Sequence, residues 1–376
     1  MHWPFCVSKC PYCDFNSHVS DAVDHDAWRA GLLAELDYYG TKTKGRRLET
    51  VFFGGGTPSL MPPKTAAAVL DALSTYWSLA PDMEITLEAN PSSVEAGKFA
   101  DFRAAGVNRV SVGVQSFDDT ALRFLGRAHG ADEAREAVTL AKQTFDRVSF
   151  DLIYALPGQQ PEDWARQLEE AVAFDTGHLS LYQLTIEKGT AFFTDHRNGA
   201  FYLPDDELAA DLYELTSETL SKKELNGYEV SNYAARGQES RHNLIYWRGG
   251  DYIGIGPGAH GRVTINDLHY RTEQIPLPAN WLSAVAAAGH ASRVSDIITQ
   301  PELMIERLIM GLRLAAGIDR RLFARITGTP LEKSINRARA AALQDAGLIE
   351  IDDAGLRATP PGRMRLNALI EALVPE

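Results

Sequence analysis

The chain has 376 residues, 45% of them hydrophobic, which is enough to bury a sizeable core. Its 37 basic and 50 acidic side chains leave a formal net charge of −13, which argues against a general binder of nucleic-acid phosphates. No apolar run reaches the roughly 20 residues that a membrane-spanning helix needs. The opening residues MHWPFC lack the features of a secretory signal. We therefore expect a cytoplasmic protein that binds no nucleic acid.

All three cysteines of the chain lie close together, at Cys6, Cys10 and Cys13. An odd number of thiols cannot all pair with one another, and a reducing compartment keeps thiols free to bind a metal or a cluster. Three thiolates on one short loop can hold three corners of a [4Fe–4S] cube and leave the fourth iron open to an outside ligand. The alternative is a zinc site of three cysteines completed by His2 or His18.

Strand-like apolar runs alternate with amphipathic helical patterns along the first half of the chain. The strand-like runs are 1–5, 50–53, 84–88, 109–114, 148–153 and 178–184. The helical patterns between and beside them include 26–39, 64–76, 132–144 and 162–174. This alternation predicts βα units around a parallel sheet. Because these runs are too few to close an eight-stranded barrel, we predict an α/β fold with a partial, TIM-like (β/α)6 barrel.

Polar residues and glycines collect where the predicted strands end. They are Gly55, Gly56 and Thr57 after the second run, Glu88, Gln115 and Asp151 in or after later runs, and Arg127 in a following loop. Glycines at a strand end allow a ligand to approach the backbone closely, although a plain turn explains them as well. Ligands of such folds meet the carboxyl ends of the strands. With the cysteine loop, these residues would surround one mouth with acids, amides and a guanidinium, a set that suits a zwitterionic ligand with a ribose.

These segments also carry a family resemblance. CVSKCPYC has the CxxxCxxC spacing of the radical S-adenosylmethionine (SAM) superfamily, with Tyr12 as the aromatic residue before the last cysteine. The segments FFGGGTPSL, VGVQSF and DLIYALPGQ look like the branch that contains oxygen-independent coproporphyrinogen oxidase (HemN) and the HemW-type heme chaperones. The resemblance implies that the cysteines bind a [4Fe–4S] cluster whose open iron is chelated by SAM. By position, the implied SAM contacts are Tyr12, Gly55, Gly56, Thr57, Glu88, Gln115, Arg127 and Asp151.

Two departures from the oxidase pattern favour the HemW-type chaperones. Oxidases of this branch carry a further cysteine two places after the third, and Phe15 stands at that position here. They also carry a long extension before the cluster loop, whereas five residues precede Cys6 in this sequence. The resemblance therefore implies a protein that binds heme and transfers it, with decarboxylation of coproporphyrinogen III by radical SAM chemistry as the alternative.

The same resemblance implies a set of partners. They are heme, an unidentified heme-acceptor protein and, if SAM is cleaved, an electron donor such as a flavodoxin or a ferredoxin. Delivery of heme would bring the cytoplasmic protein to a peripheral position at the inner membrane.

The region 201–300 is aromatic, rich in glycine and less regular, and it contains a pattern that resembles the proposed heme-binding motif HNxxYW. The motif is formed by His242, Asn243, Tyr246 and Trp247. An imidazole can ligate heme iron, aromatic rings can stack on the macrocycle, and the guanidinium groups of Arg241 and Arg248 match propionates. The alternative is that His242 and Trp247 simply pack beneath the barrel. His260 is a second candidate ligand.

The segment 301–376 changes character. Helical patterns at 302–314, 322–326, 331–346 and 362–373 surround a predicted hairpin with strands at 348–351 and 356–358. This order predicts a small α+β domain like a winged helix, although its 11 basic and 10 acidic side chains favour packing or partner docking over DNA binding. We therefore predict three parts, namely a radical SAM partial barrel over 1–200, a connecting region over 201–300 and this winged-helix-like domain over 301–376.

Overall fold

A computed structural model describes residues 1–20 and 22–375 of the chain. Its strands are β1 (His2–Trp3), β2 (Phe5–Cys6), β3 (His18–Val19), β4 (Arg47–Gly55), β5 (Ser78–Ala89), β6 (Arg109–Gln115), β7 (Arg147–Tyr154), β8 (His178–Gln183), β9 (Asn226–Gly227), β10 (Asn232–Ala234), β11 (His260–Ile265), β12 (Leu268–Gln274), β13 (Ser292–Ile297), β14 (Ile318–Asp319), β15 (Ile349–Ile351) and β16 (Gly355–Ala358).

The helices alternate with these strands in the first half of the chain and dominate the last part. They are α1 (His25–Lys42), α2 (Pro63–Leu73), α3 (Ser93–Ala96), α4 (Phe99–Ala104), α5 (Asp119–Phe124), α6 (Ala131–Thr144), α7 (Pro161–Ala173), α8 (Ala191–Arg197), α9 (Asp206–Ser221), α10 (Arg241–Trp247), α11 (Pro278–Ala288), α12 (Gln300–Leu312), α13 (Arg320–Thr327), α14 (Arg337–Asp345), α15 (Pro360–Arg363) and α16 (Leu366–Leu373). Short 3-10 turns cover Pro58–Leu60 and Leu331–Lys333.

One large sheet organises the first two thirds of the chain, with strand order β1-β4-β5-β6-β7-β8-β10-β9. The pairs from β1 to β8 are all parallel. Strand β10 then pairs antiparallel with both β8 and β9. The predicted α/β fold built on parallel βα units is therefore confirmed, and two short antiparallel strands extend it.

The two faces of this sheet differ because neighbouring side chains of a strand point to opposite faces. Leu87, Val110 and Phe150 are fully buried and share one hydrophobic core with residues of α2, α4, α6 and α7. The opposite face is polar and lines the inside of the curved sheet. Its residues include Thr86, Glu88, Ser111, Ser149, Asp151, His178 and Ser180.

Residues beyond β10 form two smaller sheets. Strands β11, β12 and β13 make an antiparallel meander. Strands β14, β16 and β15 make a second antiparallel sheet, which shares a separate hydrophobic core with α12, α13 and α16. The helices expected over 302–314 and 322–326 are present as α12 and α13, and the hairpin is present as β15 and β16. The division of the chain at residues 200 and 300 stays a prediction.

The single helix predicted over 331–346 is wrong. Leu331–Lys333 forms a 3-10 turn after Pro330, and the side chain of Asn336 accepts a hydrogen bond from the backbone N–H of Arg339, which starts α14 as a separate helix. The helix predicted over 362–373 is likewise divided into α15 and α16. Within the described residues, no helix is both long and apolar enough to cross a membrane.

Candidate functional site

Two partly buried carboxyl groups lie inside the sheet, that of Glu88 near the carboxyl end of β5 and that of Asp151 within β7. Oε2 of Glu88 accepts a hydrogen bond from the backbone N–H of Gly55 at 3.2 Å, and Oδ1 of Asp151 accepts one from the hydroxyl of Ser111 at 3.3 Å. Burial and, to a smaller extent, the charge of Asp151 together raise the pKa of Glu88 to about 8. Burial also raises the pKa of Asp151 to about 6. A cationic ligand placed between these groups would compensate the charge that burial disfavours.

The cysteine loop connects β2 to β3, and the parallel pairing of Cys6 with Val19 closes it. All three thiols are partly exposed. The hydroxyl of Thr57 donates a hydrogen bond to Sγ of Cys6 at 3.3 Å, and Nη1 of Arg127 donates one to Sγ of Cys10 at 3.3 Å. The sulfur of Cys6 therefore faces a donor just after β4, and that of Cys10 faces a donor in the loop between α5 and α6.

Both histidines of the zinc alternative face Asn16 instead of the thiols. Nε2 of His2 lies 3.0 Å from the backbone oxygen of Asn16, and Nε2 of His18 lies 3.0 Å from its Oδ1. Across residues 1–20 and 22–375, no group of three or more His, Cys, Asp or Glu side chains is arranged around a single metal ion. In a cube, by contrast, each of the three thiolates binds a different iron.

The residues at the mouth fit an amino-acid ligand. Nε of Arg127 is buried without a hydrogen-bond partner, while its Nη2 donates to the backbone oxygen of Gly113 at 2.9 Å. A guanidinium with an unused donor beside the cysteine loop suits a carboxylate. Burial raises the pKa of Tyr12, and its hydroxyl lies close enough to Cys10 and Arg127 for their charges to act on that pKa, so three of the predicted site residues come together.

Gln115 stands at the end of β6 with a φ of +70°, a left-handed conformation that is uncommon outside glycine. Backbone strain of this kind gathers at functional sites. Nη2 of Arg127 reaches the same strand end through Gly113, so the predicted residues of β5, β6 and β7 and the loop beyond them meet at one edge of the sheet.

Gly55 and Gly56, at the end of β4, lie so close to other parts of the chain that neither position has room for a side chain. A Cβ on Gly55 would lie 2.7 Å from Nε2 of His2, and a Cβ on Gly56 would lie 2.8 Å from the backbone oxygen of Phe5. The space beside these glycines is therefore filled by the chain segment that leads into the cysteine loop. Close packing explains the absence of a side chain at both positions, and the approach of their backbone to a ligand stays a prediction. The backbone N–H of Gly55 donates to Oε2 of Glu88.

A cavity of about 110 Å³ lies inside the sheet below Glu88 and Asp151. Its wall contains three buried polar atoms without a hydrogen-bond partner, namely Oγ1 of Thr86, Nδ1 of His178 and Oδ1 of Asn232. Such atoms need a polar partner, either water or part of a ligand. These three residues carry no signal in the sequence, since each stands alone in the middle or at the start of a strand.

The HNxxYW residues lie on α10, which packs against β4. The hydroxyl of Ser240 caps the helix by accepting from the N–H of Asn243 at 3.3 Å. Nδ1 of His242 lies 3.1 Å from the hydroxyl oxygen of Thr50, and the imidazole stacks on Phe52 with ring centroids 4.6 Å apart. The helix also lies beside the mouth, because Asn243 and Phe52 line the same cavity as Glu88 and Asp151.

The imidazole of His242 is held on both sides in this arrangement. Its Nε2 lies 2.6 Å from the hydroxyl oxygen of Tyr246, in addition to the contact of Nδ1 with Thr50. Burial lowers the pKa of His242 to about 3, so the ring is neutral at physiological pH. A neutral imidazole is the form that ligates iron, but neither nitrogen is free to do so here.

Trp247 and Arg241, which are also predicted to surround heme, contact charged side chains. The guanidinium of Arg313 lies over the ring of Trp247, 4.6 Å from its centroid, and Nε1 of Trp247 is buried without a hydrogen-bond partner. Nη1 of Arg241 binds Oδ2 of Asp82 at 2.6 Å. The structure brings the four motif residues together on one helix and places His242 and Tyr246 beside a cavity of about 360 Å³ that His260 also lines.

Comparisons with known families match both ends of the chain. The family model described as the radical SAM superfamily matches residues 1–171, and the one described as the HemN C-terminal domain matches residues 298–365.

Several curated proteins are similar over the whole chain. "Radical S-adenosyl methionine domain-containing protein 1, mitochondrial" of Bos taurus is 41% identical over 381 residues, which cover 100% of this chain and 86% of that protein. "Heme chaperone HemW" of Escherichia coli (strain K12) is 39% identical over 379 residues, which cover 100% of this chain and 97% of that protein.

Among solved structures, "Coproporphyrinogen III oxidase (HemN) from Escherichia coli is a Radical SAM enzyme" superposes with a TM-score of 0.82 and 22% sequence identity. The superposition covers 99% of this chain and 88% of that one. At this identity the similarity shows a shared fold.

Proposed function

Because the chain belongs to the radical SAM superfamily and, within it, to the family of HemW-type proteins, we propose that it is a heme chaperone. It would bind heme as cargo and pass it to an acceptor protein. The observation that carries this proposal is the 39% identity, over the full chain, to a protein named "Heme chaperone HemW". The location stays a prediction, namely the cytoplasm with a peripheral position at the inner membrane during delivery.

Membership of the superfamily implies a [4Fe–4S] cluster and SAM. We assign the cluster to Cys6, Cys10 and Cys13, since their thiols lie on one closed loop beside the strand ends. When bound, the cluster supplies a redox-active centre with one iron open to SAM. The donors on Thr57 and Arg127 would remain against the cysteine sulfurs and stabilise their negative charge.

The proposed SAM site is the polar mouth beside the cluster loop. Arg127 would bind the carboxylate of SAM through its unused Nε, and Glu88 and Asp151 would accept hydrogen bonds from its amino or ribose groups. The other proposed contacts are Tyr12, Gly55, Gly56, Thr57 and Gln115. An electron donor such as a flavodoxin or a ferredoxin is proposed only for the case in which SAM is cleaved.

The proposed heme site is the HNxxYW helix and the cavity beside it. His242 would ligate the iron after its Nε2 leaves the hydroxyl of Tyr246. Asn243 and Trp247 lie outside the lining of this cavity and would complete the site only after α10 moves. The rings of Tyr246 and Trp247 offer apolar area, which contributes most of the affinity for a macrocycle. Binding therefore requires a local rearrangement of α10.

The experiment is an anaerobic reconstitution with iron and sulfide, followed by titration with hemin and transfer to apomyoglobin as a model acceptor. We expect heme to bind with a changed Soret band and to move to apomyoglobin. Turnover of coproporphyrinogen III by the same preparation, without retention of heme, would favour the oxidase. That result would mean that oxidase activity does not need a cysteine at the position of Phe15, whose side chain is exposed here.

A further inference from the structure

Asn90 connects the two side chains that donate hydrogen bonds to cysteine sulfurs. Its Nδ2 donates to the hydroxyl oxygen of Thr57 at 3.1 Å, and its Oδ1 accepts from Nη2 of Arg127 at 2.7 Å. Thr57 in turn donates to Cys6, and Nη1 of Arg127 donates to Cys10. The five side chains form one continuous arc of hydrogen bonds from the first cysteine to the second.

The chemistry of these groups leaves one orientation for the arc. A guanidinium only donates, so the atom of Asn90 that meets Arg127 must be the amide oxygen, and the amide nitrogen then faces Thr57. Because the hydroxyl of Thr57 accepts from Asn90, its single hydrogen is available for the sulfur of Cys6. Each bond therefore fixes the direction of the next.

Asn90 is itself anchored to the protein. Its backbone N–H donates to Oε2 of Glu95 at 3.1 Å, and Glu95 is 2% exposed. Thr57 is 4% exposed, so the hydroxyl that reaches Cys6 is shielded from water. Cys13 has a weaker neighbour, because the hydroxyl oxygen of Ser17 lies 3.8 Å from its sulfur. The three cysteines thus have unequal surroundings, and the arc serves only two of them.

We propose that Asn90 is a positioning residue that sets the reduction potential of the iron–sulfur cluster by holding Thr57 and Arg127 against the sulfurs of Cys6 and Cys10. This inference rests on the proposed cluster. Hydrogen bonds to cluster sulfurs stabilise the reduced, more negative state and so raise the potential. Loss of Asn90 leaves both donors in the chain but removes the group that keeps them in place.

The test compares the midpoint potentials of reconstituted wild-type protein and the variants Asn90→Ala, Thr57→Val and Thr57→Ser, measured by redox titration with EPR detection. We expect Asn90→Ala and Thr57→Val to shift the potential to more negative values. A tenfold change in the reduction equilibrium corresponds to about 59 mV for one electron, and we expect a shift of this order. Thr57→Ser keeps the hydroxyl group, so its midpoint potential should stay close to that of the wild type.

A matched control is Asn108→Ala. The side chain of Asn108 also uses both amide atoms, since it accepts from the N–H of Ile85 and donates to the backbone oxygen of Met83, each at 2.8 Å. It lies just before β6, away from the cysteine loop. We expect this variant to lose stability without a change in potential.

The outcomes separate the two levels of the proposal. Wild-type protein that takes up neither iron nor sulfide would overturn the proposed function together with this inference. A cluster that forms in the wild type and keeps its potential in Asn90→Ala and Thr57→Val would overturn this inference alone. Equal shifts in Asn90→Ala and Asn108→Ala would also overturn it, because they would show general loosening of the fold.

Discussion

The hydroxyl oxygen of Tyr246 lies 2.6 Å from Nε2 of His242, on the same short helix. The other ring nitrogen of His242 lies 3.1 Å from the hydroxyl oxygen of Thr50 on β4. Both positions through which an imidazole ligates iron are therefore engaged. Heme that binds through His242 has to displace one of these hydroxyl groups, and the bond to Tyr246 is the one that a movement within α10 would break.

We predict that Tyr246→Phe increases the affinity for heme. The substitution keeps the aromatic ring and removes the hydroxyl group that competes for Nε2 of His242. A hydrogen bond between neutral groups contributes about 0.5–1.5 kcal/mol net, so the dissociation constant should fall by roughly two- to tenfold. Titration of the reconstituted protein with hemin, followed at the Soret band, measures this change.

Tyr76 provides the control, because its hydroxyl donates a hydrogen bond to Oδ1 of Asp37 at an exposed position outside the lining of the proposed heme cavity. Tyr76→Phe should leave the affinity for heme unchanged, while His242→Ala should alter the Soret spectrum. An unchanged or weaker affinity for heme in Tyr246→Phe would contradict the idea that the Tyr246 hydroxyl competes with iron for Nε2 of His242. An unchanged Soret spectrum in His242→Ala would show that His242 is not the iron ligand.

We predict that Cys6, Cys10 and Cys13 are each required for one oxygen-sensitive cluster. Replacement of any one by alanine should reduce bound iron and sulfide to background, because two thiolates do not retain the cube. Ser17→Ala is the matched control, since it changes the same loop without removing a thiol. Stoichiometric zinc without acid-labile sulfide in the anaerobically purified wild type would contradict the prediction.

The positions of Glu88, Gln115 and Asp151 at one edge could be predicted because parallel strands bring their carboxyl ends together and alternate apolar with polar side chains. The engagement of His242 could not be predicted, because it depends on Thr50, 192 residues earlier in the chain. Asn90 was missed although it directly follows β5, two positions after Glu88. Its position at a strand end could have indicated a site residue. Its hydrogen bond to Arg127 could not be predicted, because the two residues meet only in the folded chain.

We predict that Glu88→Gln and Asp151→Asn weaken the binding of SAM. Each variant removes a partly buried carboxylate from the mouth, and the loss should be about 1–3 kcal/mol for a hydrogen bond to a charged group. Equilibrium dialysis with the cluster intact measures it. Glu49→Gln serves as the control, because Glu49 pairs with Arg47 at an exposed position. Wild-type affinity in both site variants would contradict the assignment.

We predict that the affinity for SAM rises with pH between about 6 and about 8. The pKa of Glu88 is raised to about 8 and that of Asp151 to about 6, so both groups take up protons in the free protein as the pH falls through these values. The sulfonium cation favours the ionised carboxylates, so binding releases protons and tightens as the pH increases.

The raised pKa values make the folded protein less stable as the pH rises, whereas they make SAM bind more tightly. Because the folded state holds a proton on Glu88 above the ordinary pKa of 4.5, the free energy of unfolding should fall as the pH rises from there through about 8. Glu88→Gln should remove most of both trends. A pH-independent affinity for SAM in the wild type would show that these carboxyl groups do not face the ligand.

The most direct test of the account is the heme content of the anaerobically reconstituted wild-type protein after gel filtration with excess hemin. The account predicts that heme co-elutes with the protein in a one-to-one ratio, with a shifted Soret band that His242→Ala alters. A parallel incubation with coproporphyrinogen III and SAM should yield no protoporphyrinogen. Protein that elutes without heme, while it converts coproporphyrinogen III, would contradict the account.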